Sequence, residues 1–190
     1  MQGNEEMQAA QEQLEQPKKV VNVWKEIFSW VVSIALAFVV AFLINTYIGR
    51  MVQVDGPSMQ PTLYTGERVL VGRVPYYFRA PVAGEIVVVH FPGEKEFFVK
   101  RVIGVAGDEL EMRDGVLYRN GLPCDEPYLR EEIKRPFGPY VVPEDTVFVA
   151  GDNRNDSKDS RIVGPIVLED VVGKAYCILW PLNKMKNLTT

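Results

Sequence analysis

The stretch EFFVKRVIGVAGDELEMRDGVLYRNG, Glu96 to Gly121, decides the fold. Its first ten residues are rich in Val, Ile and Phe, as a strand at least half buried would be. The second half, ELEMRDGVLYRNG, reads as a hairpin with Asp114-Gly115 at the turn, because a two-residue Asp-Gly loop matches the twist of antiparallel strands. The same grammar extends both ways. RVLVGRV (Arg68–Val74), EIVVVHF (Glu85–Phe91), TVFVAG and GKAYCILW supply further short strands, and 12 of the 13 prolines lie beyond residue 50 and punctuate them. No long amphipathic helix interrupts this region. The expected architecture is a mostly β unit of sandwich or barrel type, long enough to enclose its own core.

Ahead of it lies a different composition. IFSWVVSIALAFVVAFLINTYI, Ile27 to Ile48, runs 22 residues without a charge. As a helix it would span roughly 33 Å, enough for a hydrocarbon core of about 30 Å. Trp30 and Tyr47 suit the two interfaces. The run is too long, and its preceding segment too long, for a removable signal peptide, so an uncleaved anchor is expected. Lys18, Lys19 and Lys25 precede it and Arg50 and Arg68 follow, a bias that puts the N-terminus inside and the β unit outside. The Gln- and Glu-rich residues 1–17 read as disordered. The expected organisation is therefore 1–26 cytoplasmic, 27–48 transmembrane and 49–190 extracytoplasmic.

A net charge of −4 without a Lys/Arg-rich run excludes a nucleic-acid-binding reading. Cys124 and Cys177 form no CxxC pair and have no clustered histidine, so no structural zinc site is expected; whether they pair stays open.

Chemistry concentrates in three places. VDGPSMQPTL, Val54 to Leu63, sets Ser58 in a turn shortly after the apolar run. A serine hydroxyl needs a neighbouring base to act as a nucleophile. The single histidine, His90, shares a strand face with Val88 and Ile86, as a packed histidine would. Of the seven lysines after residue 50, Lys100 shares its face with Phe98 and Val102, and burial there would favour the neutral amine. Lys174, on a face with Tyr176 and Ile178, is the second candidate, and an edge-strand charge is the competing account of Lys100. The third place is GDNRNDSKDSR, Gly151 to Arg161. It lacks the Gly and terminal Glu of a calcium loop, so no metal is expected.

Taken in order, the anchor, GPSMQPTL, RVLVGRV, FVKRVIGVAGD, GDNRNDSKDSR and the closing LWPLN resemble type I signal peptidase, the membrane-anchored Ser–Lys endopeptidase, over residues 25–183. The resemblance implies two antiparallel β-sheets, Ser58 as nucleophile and Lys100 as general base. It implies that Ser157 orients the lysine, that Asp159, Arg161 and Arg101 brace the site through ion pairs, and that Asp152 is structural. It implies no cofactor, and as substrates exported preproteins with small residues at −1 and −3, cleaved at the plasma membrane of a bacterium. Some members place a serine two residues before the nucleophile, where it joins the oxyanion hole; Gly56 stands there here, as in the short single-anchor, Gram-positive-like branch. The Ser58 N–H then remains as donor, and a Gly56→Ser change is expected to be tolerated and to add a second. Two other readings stand beside this one: a self-processing Ser–Lys peptidase, and a membrane-tethered β module without activity. Oligomeric state is not legible.

Overall fold

The structure, a computed structural model, describes residues 23–43 and 49–188. The expectations for residues 1–17, for Lys18, Lys19 and Tyr47, and for the end of the apolar run at 44–48 lie outside the described residues. The chain divides into two compact units between Phe42 and Leu43.

Helix α1 (Val23–Leu43) supplies the described residues of the first unit, its last residue lying just past the division. Its 20-residue stretch Val23–Phe42 has a mean hydropathy of 1.9, and none of it is buried among the described residues. That length corresponds to about 30 Å, a hydrocarbon core's thickness. The described helix already includes Val23–Glu26, ahead of Ile27 where the expected span begins. Lys25 and Glu26 end the apolar run but are good helix formers, so the backbone continues through them. Ser33 Oγ donates to the Ser29 carbonyl at 2.8 Å, satisfying a polar group inside the helix itself.

Among its described residues the second unit holds twelve strands: β1 (Arg50–Gln53), β2 (Arg68–Gly72), β3 (Ile86–His90), β4 (Phe97–Val105), β5 (Glu109–Arg113), β6 (Val116–Arg119), β7 (Leu122–Pro123), β8 (Phe137–Val141), β9 (Thr146–Ala150), β10 (Ile166–Val167), β11 (Val171–Trp180) and β12 (Lys186–Asn187). They form the two antiparallel sheets expected. The larger has the order β1-β2-β11-β3-β4-β9-β10, with β12 beside β11; the smaller has the order β7-β6-β5-β8.

Strand β3 shows why EIVVVHF reads as an unbroken apolar run. Ile86 and Val88 enter a core with Val69, Val71, Ala175 and Ile178, whereas Val87 and Val89 enter another, on the opposite face, with Phe91, Val102 and Val149. A strand buried on both faces has no polar face to alternate with. A third core, with Ile103, Leu110, Met112, Leu117 and Phe148, joins the two sheets. The β5–β6 hairpin turns at Asp114 (φ 50°) and Gly115 (φ 81°), with Arg113 facing Val116 across it. Two successive positive φ values are what an Asp-Gly loop supplies. Strand β8 contains Pro139, which weakens its signal in sequence; it lies at the edge of the small sheet, where a missing N–H is tolerated.

One detail of register positions the site. Strand β4 pairs with β3 from Phe97 to Arg101, but its pairing with β9 begins only at Arg101, opposite Ala150. Residues 97–100 therefore pair on one side only among the described strands.

Candidate active site

Lys100 sits in that half-paired stretch, across the ladder from Val87. It is 2% exposed, and its ammonium position lies 6.0 Å from the Phe98 ring. Burial lowers its pKa from 10.5 to about 8, against the upward pull of the Asp159 and Asp152 carboxylates. Its Nζ is 2.6 Å from Ser58 Oγ.

Ser58 is held by a closed loop. The Val54 N–H donates to Glu67 O and the Gly66 N–H to Val54 O, at 2.8 and 2.9 Å. Met59 and Leu63, 1% and 0% exposed, pin the loop into the core, in a cluster that also contains Val54, Val99 and Leu188. The Ser58 carbonyl accepts the Asn153 N–H at 3.0 Å. Gly56 has φ +88°, although nothing lies within 4 Å of a Cβ built there. Space is open, but the backbone is one that L residues adopt at a cost of about 1–2 kcal/mol. The tolerance expected from sequence is therefore revised: Gly56→Ser lowers both the melting temperature and kcat/KM, and a variant equal to or faster than wild type in a cleavage assay would contradict this.

The third element is the turn Gly151–Asp159 leading into helix α2 (Ser160–Val163). Asp159 is fully buried. It accepts the Gly151 N–H at 3.0 Å and both arms of Arg161, at 2.8 and 2.7 Å. Burial would raise its pKa, but these partners outweigh it and hold the carboxylate ionised. Asp152 accepts Arg101 Nε and Nη2, both at 2.8 Å, and the Thr62 hydroxyl at 2.5 Å. Arg101 thus pairs with Asp152 and not with Asp159, joining β4 to the turn and, through Thr62, to the Ser58 loop. Ser157 Oγ is buried without a hydrogen-bond partner among the described residues. It lies close enough to Asp159 to favour the ionised form, and no hydrogen bond joins it to Lys100.

Sequence reading left out Thr62, Asn153, Arg154, Glu126 and Tyr128. Arg154 lies inside the GDNRNDSKDSR motif, but its partner Glu126 is 28 residues away, so the sequence does not single it out from the other charges there. Glu126 and Tyr128 carry no signal, because they reach the turn only through the return path of the small sheet.

The alternative bases lie elsewhere. His90 pairs with Phe97 across the ladder, its ring 5.9 Å from the Phe97 ring and edge-on. Lys174 Nζ is 2.7 Å from the buried Glu85. A bulge between Ala175 and Cys177 also breaks the alternation, so Ile178 shares its core with Ala175, and Lys174 faces Val87 instead. Burial pushes the Glu85 carboxyl up, but hydrogen bonds from Arg79, Lys174 and the Val82 N–H prevail and hold it at about 2 instead of 4.5. A depressed carboxyl adds stability that is full above the unfolded value and is lost as pH falls through the folded one. The β unit should therefore lose stability from about pH 4.5 down to about 2. Glu85→Gln should be less stable at pH 7 and show a flatter acid limb in denaturation midpoints; an unchanged limb would show that Glu85 does not drive it.

Cys124 and Cys177 are both free. Among the described residues no three His, Cys, Asp or Glu side chains group as a metal site would require.

Four known proteins and families match the chain. The family model for signal peptidase, peptidase S26, matches residues 27–180. Signal peptidase IB of Staphylococcus aureus (strain COL) is 39% identical over 181 residues, 86% of this chain and 94% of that protein. Signal peptidase I S of Bacillus subtilis (strain 168) is 39% identical over 174 residues, 85% of this chain and 94% of that protein. A crystal structure of a signal peptidase I from Enterococcus faecalis is 32% identical, with a TM-score of 0.46, over 50% of this chain and 97% of that one.

Proposed function

Since the chain belongs to the signal peptidase family, peptidase S26, we propose that it removes signal peptides from exported preproteins with Ser58 as nucleophile and Lys100 as general base. The observation that carries this is the 2.6 Å approach of Lys100 Nζ to Ser58 Oγ, made by an amine whose burial holds its pKa near 8.

Neutral Lys100 takes the Ser58 proton as Oγ attacks the scissile carbonyl carbon. The Ser58 N–H donates to the oxyanion, and Gly56 supplies no side-chain donor. Protonated Lys100 then gives its proton to the leaving amine, releasing the mature protein and leaving the signal peptide as an ester on Ser58. Water, deprotonated by Lys100, hydrolyses that ester. Asp159 with Arg161, and Arg101 with Asp152, hold the turn against the two reacting residues, and Ser157 lies in the same turn.

The extended substrate adds along the half-paired stretch 97–100, where backbone groups await a strand. The substrates are preproteins with small residues at −1 and −3. The enzyme works at a bacterial plasma membrane, N-terminus inside and β unit outside, a reading supported by the apolar helix and by the lysine bias ahead of the span.

The test is cleavage of an exported preprotein by the purified full-length protein in detergent. A product whose new N-terminus follows a small residue is expected; an intact preprotein would defeat the assignment.

A further inference from the structure

We propose that Glu126 and Tyr128, carried between β7 and β8, are positioning residues for the Ser58–Lys100 pair, taking those two as the reacting residues, and that they act through Arg154 and Arg101. Glu126 accepts both terminal nitrogens of Arg154, at 2.8 and 2.6 Å. The two side chains are 7% and 1% exposed. Arg154 Nε in turn donates to the Gly151 carbonyl at 3.0 Å. Gly151 is the residue on which the nucleophile rests: a Cβ there would come within 2.3 Å of Ser58 O. The fork thus fixes the peptide that supports Ser58.

A second branch leaves from the same Glu126. The Tyr128 ring lies 3.8 Å from the Arg101 guanidinium carbon, and its hydroxyl donates to Glu126 Oε1 at 2.6 Å. Burial, with Glu126 beside it, raises the phenol's pKa, so it stays a donor. Arg101 is the next residue after Lys100 and grips Asp152 with two nitrogens. One branch therefore ends beside each member of the dyad.

Sheet attachment alone does not account for this arrangement. The apolar core of Ile103, Leu110, Met112, Leu117 and Phe148 already joins the two sheets. A buried ion pair adds little stability over apolar residues of similar volume, whereas its directional bonds fix geometry.

The double variant Glu126→Met/Arg154→Met separates the two roles, because it refills the volume and leaves no buried charge. It should fold with a melting temperature near wild type. KM should stay within about threefold, a binding step left intact, while kcat falls about 10²-fold, as a displacement near 1 Å can cause. The 13C titration of the Lys100 side chain should move from about 8 toward the ordinary lysine value as water reaches the loosened amine. A folded double variant with wild-type kcat and an unmoved titration overturns the proposal. If that variant fails to fold, Glu126→Gln decides: reduced kcat at unchanged melting temperature supports positioning, and unchanged kcat refutes it. If wild type itself cleaves no preprotein, the proposed function fails; the Lys100 titration still judges the positioning claim, a shift supporting it and none overturning it.

Discussion

Lys100→Met should be inactive and, at neutral pH, more stable than wild type. The two effects have one cause. The amine is 2% exposed and sits among Val87, Phe98 and Val102, so its pKa falls from 10.5 to about 8. A base whose pKa drops on folding holds its proton less tightly in the folded state. It therefore subtracts stability, fully so below about pH 8, and the loss fades as pH rises toward 10.5. The size is about 3 kcal/mol. Methionine is apolar, flexible and of similar length, and it removes that penalty, so denaturation midpoints at pH 7 should rise. Cleavage should fall by about 10⁴-fold, the upper range for loss of a positioned general base. Lys100→Arg should be as inactive, since guanidinium stays protonated. Wild-type kcat/KM should climb through about pH 8, reporting the base in the free enzyme. His90→Ala should leave that limb in place. Substantial cleavage by Lys100→Met would remove the lysine from the mechanism; lost cleavage together with lowered stability would point to unfolding instead.

Lys100 was legible because strand alternation is local. Counting two residues either way along β4 finds Phe98 and Val102, and the register irregularity in that strand begins only after Val102. The same counting failed for Lys174, where a bulge lies between it and Ile178. The hairpin at Asp114-Gly115 was legible for a similar reason, since its turn chemistry is complete in two residues. Strand β8 was not, because only its place at the sheet edge excuses Pro139. The ion pairs of the motif show the limit most clearly. Asp159 meets Arg161 two positions away, a local pairing. Asp152 finds Arg101 across 51 residues and Arg154 finds Glu126 across 28, and both meetings are set by how the sheets fold back. The residue types of the candidate site were readable; their supports belong to the tertiary structure.

Gly151→Ala should damage turnover through a single added methyl group, because that group meets the Ser58 peptide itself. Its effect does not come from backbone conformation, because Gly151 is outside the left-handed region in which Gly66, Gly107 and others sit with open space around them. It comes from close approach. An added Cβ would lie 2.3 Å from Ser58 O, 2.4 Å from Ser157 Oγ and 2.7 Å from Ser157 Cβ. The serine hydroxyl can rotate, but the Ser58 carbonyl is backbone and is tied to the Asn153 N–H at 3.0 Å. Relief therefore requires the Ser58 peptide or the Gly151 turn to move. Either movement lengthens the 2.6 Å approach of Ser58 Oγ to Lys100 Nζ. A shift of about 1 Å can cost 10²-fold in rate, and overpacking of a tight site costs about 1–3 kcal/mol of stability. The expected result is a folded but destabilised protein whose kcat falls about 10²-fold while KM changes little. Adding Ser157→Gly removes two of the three clashes but leaves the one with Ser58 O, so the double variant should regain stability without regaining turnover. Wild-type kcat in Gly151→Ala would show that the turn yields without disturbing Ser58, and that the close packing of Gly151 does not set the geometry of the nucleophile.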